Sequence, residues 1–234
     1  MWKVRFFGID DESYKFLTEL NGDIFSRKEV RHGGGKFVEY YLHLSGYDDI
    51  EPTKILVIAE KELSVYESLL KLNRFSPNAR VDHPVKEDND GTETVYMYFT
   101  DTISITDSVD VFINDENVYS SQNAKIEDSK VILNNVLSDN VKKELLILLG
   151  SEVNWVNAYK IYEILKKHHM DEADLKKVSE LKYFAHSANS PNAIGVNEAR
   201  HAVQSHKSPK KIADLNLAHS SLVKLSLQFI KSGA

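Results

Sequence analysis

Val136-Leu137-Ser138-Asp139-Asn140-Val141-Lys142-Lys143-Glu144-Leu145-Leu146-Ile147-Leu148-Leu149-Gly150 divides the chain into two kinds of sequence. Ser138-Asp139 supplies an N-cap and Gly150 a stop, which predicts a helix through Leu149. Upstream, short runs rich in Val, Ile, Tyr and Phe alternate with turn residues, as strands do. They are Met1–Phe7, Phe37–Leu44, Ile55–Ala59, Thr94–Phe99, Ile103–Ile105, Val109–Ile113 and Lys130–Leu133. One helix, Ser64–Asn73, interrupts them, and Ser120–Ser129 forms a polar join. Downstream the period becomes helical. Asn154 opens Trp155–His169, Asp171–Ala188 follows, and Lys211–Lys231 aligns Leu215, Ala218, Leu222, Leu225 and Phe229 in one seam. The expectation is an α+β protein, with a β-rich module over 1–136 (a small sandwich or barrel) and a helical bundle over 137–234.

Composition narrows the chemistry. The chain has 234 residues and no cysteine, so thiol nucleophiles and Cys-ligated metals are excluded. No apolar run reaches the roughly 18 residues of a membrane span. Acidic Asp10, Asp11 and Glu12 follow the first seven residues at once, so the chain reads as soluble and cytoplasmic, with no membrane partner. Residues 137–234 hold 14 Lys and Arg against 10 Asp and Glu, which leaves 15 against 25 in residues 1–136. A helical part of +4 thus follows an acidic part of −10, an asymmetry that suits an anionic partner for the second part.

Tyr183–His206 is the most polar stretch between apolar helices. Asn189, Ser190 and Asn192 surround Pro191, with His186 just upstream as a further candidate, and Glu198 precedes Arg200-His201, with His206 six residues after Arg200. Arg offers phosphate a permanent planar cation, and His exchanges protons near neutral pH. Loops this rich in donors on a helical scaffold are where function tends to reside. Other candidates are weaker. Arg31-His32-Gly33-Gly34-Gly35-Lys36 is a basic Gly-rich loop able to cradle an anion, but it lacks the ending of a phosphate loop and reads as a hairpin. His168 and His169 are adjacent on a helix and diverge, so no metal site is expected.

Arg200, polar His201 and His206 resemble the Arg-polar-x4-His motif of HEPN-superfamily domains, and the helices of 137–234 are similar in layout to those bundles. The segment also looks like tails of bacterial proteins that have no assigned activity. The HEPN resemblance implies a metal-independent RNase of a defence or toxin system, often a homodimer. In it Arg200 neutralises the scissile phosphate, His206 acts as general acid–base and His201 assists. His186, Asn189, Asn192 and Glu198 would shape substrate binding. RNA supplies its own nucleophile in the 2′-hydroxyl, so no cofactor is expected. The alternative is a non-catalytic module. There residues 1–136 bind a protein or small ligand, the helices dimerise, and Arg200 is a buried cation that caps carbonyls or pairs with Glu198.

Overall fold

Trp2–Phe7 forms the central strand, β1, in a computed structural model that describes residues 1–32, 35–97, 122–200 and 207–232. The expected strands Ile103–Ile105 and Val109–Ile113 lie outside the described residues, as do Tyr98 and Phe99. After β1 come α1 (Asp11–Asn21), β2 (Phe25–His32), β3 (Gly35–Leu44), α2 (Pro52–Leu72), β4 (Arg80–Glu87) and β5 (Glu93–Val95). β1 pairs antiparallel with β3 and β4, β3 with β2, and β4 with β5, giving the order β2-β3-β1-β4-β5. The first four strands and two helices therefore follow the β-α-β-β-α-β plan of ferredoxin-like folds, with one strand added at the β4 edge.

Strand alternation separates two faces. Trp2, Val4 and Phe6 are buried on one, with Phe25 and Leu42 beside them. Helices cover this face: Tyr66 of α2 meets Phe25 edge-on at 5.0 Å, and Tyr14 of α1 lies 4.9 Å from Tyr40. On the other face, Glu93 of edge strand β5 receives Lys3 of β1 at 2.6 Å and Lys28 of β2 at 3.7 Å. Opposite edges can share one carboxylate because the sheet is curled. The β part is a single curled sheet with helices on one side; the described strands form neither a second sheet nor a closed barrel.

Two expected strands are helical. Ile55–Ala59 lies in α2, where Pro52 occupies the first turn and Ile55, Ala59 and Leu63 are buried at spacings of one turn. Lys130–Leu133 lies in α3 (Gln122–Ser138), where Ile126, Ser129, Leu133 and Val136 are buried at helical spacing. Conversely, β2 and β4 are not legible as strands: β2 is charged, as edge strands often are, and β4 contains Pro84.

Contacts within the chain define two units, and the second runs from Glu127 through the remaining helices. Those are α4 (Asn140–Leu149), α5 (Trp155–His168), α6 (Glu172–Lys177), α7 (Phe184–Ala188), α8 (Pro191–Ile194) and α9 (Leu215–Lys231). Asp139, Asn154, Asp171 and Asp214 cap α4, α5, α6 and α9 through side-chain oxygens, as their residue types favour. The expected helix Asp171–Ala188 is divided into α6, a 3₁₀ turn at Ser179–Leu181 and α7, because Val178 leaves the helical region at φ −70°, ψ 117°. α9 begins at Leu215 and not at Lys211. Its most buried residues are Ala218, His219, Leu222, Val223, Ser226 and Ile230. α4, α5 and α9 pack around Leu145, Leu146, Ile161, Leu165 and Leu222. Lys142 is buried here and donates to the Ser232 carbonyl at 2.6 Å. No described helix is long and apolar enough to cross a membrane.

Candidate functional site

The five residues of α7 organise the polar stretch of the second unit. Phe184 is buried and stacks on Trp155 at 5.7 Å and 14°, with Tyr162 5.7 Å away. That anchor turns the rest of α7 into a bracket for the chain that follows. The Ala188 carbonyl accepts from the Arg200 amide at 3.0 Å. Buried Ser187 Oγ accepts from the Ala213 amide at 3.0 Å. His186 Nε2 lies 2.8 Å from the Lys207 carbonyl. A carbonyl only accepts, so Nε2 of His186 bears the proton. The backbones of Arg200 and Lys207 are thereby fastened to residues two apart on one short helix.

Arg200 lies on the outside of α5. Its guanidinium carbon sits 4.6 Å from the centre of the Tyr159 ring, and one terminal nitrogen is 3.3 Å from Glu163 Oε1. The side chain is 38% exposed. The expectation that a structural Arg200 would be buried and paired with Glu198 is therefore corrected: it is exposed and its carboxylate is Glu163. Tyr159 and Glu163 stand four apart on α5 and so present one surface to the guanidinium. An exposed ion pair contributes about 0–1 kcal/mol and an exposed cation–π contact about 0.5–1 kcal/mol. Such contacts orient a guanidinium without removing it from solvent.

The remaining candidates take different positions. Asn189 donates Nδ2 to the Ala185 carbonyl at 2.8 Å, while its Oδ1 is buried without a hydrogen-bond partner among the described residues. His186 spends Nε2 on the chain's own carbonyl, which makes it a tie between α7 and the Lys207 segment. Asn192 and Glu198 are exposed. His201 and His206 lie outside the described residues. Lys207, Lys210 and Lys211 are exposed and have no acidic partner among the described residues, so the segment after the motif presents uncompensated positive charge. The described residues contain no group of three or more His, Asp or Glu able to hold a metal ion.

Tyr159 and Glu163 are the partners of Arg200 that sequence reasoning missed. Their four-residue spacing is visible in the sequence, but nothing local shows that the chain returns to place Arg200 there. No protein family, curated protein or solved structure matches the chain.

Proposed function

We propose that the second unit is a HEPN-like, RNA-directed module in which Arg200 meets a backbone phosphate. The observation that carries this reading is an Arg that is both accessible and held in one orientation by Tyr159 and Glu163. Lys207, Lys210 and Lys211 add unpaired positive charge, which suits a polyanion. The catalytic form of the proposal adds His206 as general acid–base and His201 as its aid, acting on the RNA's own 2′-hydroxyl. Its biological setting would be a defence or toxin system, with a homodimer in the cytoplasm.

A second reading has one observation in its favour: Arg200 already has a carboxylate and an aromatic ring as partners. In that reading the unit is a non-catalytic binding or dimerisation module, and Arg200 fastens the loop to α5.

Incubation of labelled RNA and tRNA with the protein in EDTA separates the two. The RNase reading expects cleavage by wild type and a loss of about 100-fold or more in Arg200→Ala and His206→Ala, both still folded by circular dichroism. Intact RNA with wild type, or equal cleavage by the variants, moves the assignment to the non-catalytic module.

A further inference from the structure

β2 runs for eight residues, and β3 is its one neighbouring strand among the described residues. The other edge of the sheet, β5, has three residues. A long edge strand offers its outer N–H and C=O groups to a further strand. The side chains along that edge decide which strand fits.

The register with β3 sets Phe25 against buried Leu42. Arg27, Glu29 and Arg31 therefore share the helix-covered side of the sheet with Phe25, while Lys28 and Val30 take the opposite side. Towards the hairpin end the cover runs out. Glu29, Arg31 and Lys36 are exposed, and Phe37 and Val38, neighbours on opposite faces of β3, are 55% and 43% exposed. Arg27 and Lys28 reach carboxylates, Asp11 at 3.9 Å and Glu93 at 3.7 Å. Glu29 and Arg31 have no ion partner among the described residues. They are opposite in charge and two residues apart on one face. Arg31 also stands directly opposite Lys36 of β3, and like charges so placed repel.

We propose that β2 pairs antiparallel with β2 of a second copy of this chain, about a two-fold axis through Val30. In such an isologous contact the edge meets itself. Directly opposite residues of an antiparallel pair share a face, so the axis must pass through one residue that opposes its own copy. Among residues 27–31, Val30 alone is uncharged. Centring on Arg27, Lys28, Glu29 or Arg31 sets like charges against each other on the axis. Centring on Ser26 carries Glu29 and Arg31 past the start of the partner's strand. Centring on Val30 sets Glu29 opposite the partner's Arg31 and, by symmetry, Arg31 opposite the partner's Glu29. Both ions gain a cross-strand partner, and the added carboxylate offsets the repulsion between Arg31 and Lys36. On the other face Phe37 lies directly opposite Val30, so the two copies form an apolar strip Phe37-Val30-Val30-Phe37 across the junction. The sheet then continues from one copy into the next. This interface does not rest on Arg200 or on the RNA reading of the second unit.

The test is sedimentation velocity of the full chain at low ionic strength, where exposed ion pairs are least screened. Reversible dimerisation of wild type is expected. Glu29→Arg sets Arg against the partner's Arg31, and Arg31→Glu sets Glu against the partner's Glu29. Each single variant should weaken the dimer about tenfold or more, because both attractive pairs become repulsive. Glu29→Arg combined with Arg31→Glu rebuilds both pairs with the charges exchanged and should recover the wild-type Kd. These side chains are exposed, and circular dichroism checks that the variants remain folded. A wild-type monomer at about 1 mM chain, where even an interface of millimolar Kd is half formed, overturns the proposal. Equal Kd in wild type and both single variants places any dimer on another surface and overturns it as well. Loss in the single variants without recovery in the combined one rejects pairing about Val30.

Discussion

Gly8 shows how much one residue can determine. It follows β1 with φ +87°, and its carbonyl accepts from the Asn78 amide at 2.9 Å. A Cβ built there would lie 1.8 Å from the Asn78 carbonyl oxygen. Gly8→Ala must therefore adopt a left-handed conformation and also displace backbone. Strain of this kind costs about 1–3 kcal/mol before the clash is added, so a marked fall in urea midpoint is expected. An unchanged midpoint would mean that the Asn78 segment moves freely. No sequence signal points to Gly8, because its constraint comes from residues far along the chain. Arg200 is the contrasting case. Its chemical type marks it as a candidate, while its partners become visible only where α5 and the returning loop meet.

Elements are legible in proportion to how local their signals are. Asp139 and Asn154 sit within three residues of the amides they cap, and residue type alone predicts the helices they open. Ile55–Ala59 reads as a strand because five apolar residues fit a strand or a buried turn of helix equally well. The seam expected for α9 is buried at Ala218 and Leu222 and half-buried at Leu215, Leu225 and Phe229, and the buried face extends beyond it to the polar His219 and Ser226. Burial holds His219 below its ordinary value near 6.5, so the folded chain keeps it neutral while the unfolded chain protonates. The unfolded state then binds more protons as pH falls through that ordinary value, and stability is lost on the acid side. Tm should fall between about pH 7.5 and about pH 5, with a smaller fall in His219→Leu than in wild type. Parallel Tm profiles for the two proteins would assign the acid sensitivity to other groups.

At the scale of the whole molecule, charge is divided between acidic residues 1–136 and basic residues 137–234. If the second unit meets RNA through its cations, affinity for a labelled single strand must fall steeply with salt. Replacing Lys207, Lys210 and Lys211 with Ala should flatten the plot of log affinity against log salt by about 0.7 for each phosphate that is no longer neutralised. A slope that does not change would place any RNA contact elsewhere. Residue types and their near neighbours are enough to establish the α+β order, the capped starts of α4 and α5, and the absence of thiol chemistry. They are also enough to single out Arg200. These depend on interactions within a turn or two of chain, or on composition alone. The strand order β2-β3-β1-β4-β5, the buried face of α9 and the partnership of Arg200 with Tyr159 and Glu163 depend on the tertiary structure. So does the register that sets Arg31 of β2 directly opposite Lys36 of β3. Each of these joins segments whose approach is driven by apolar burial summed over distant elements, and that sum is not written in any short stretch of sequence.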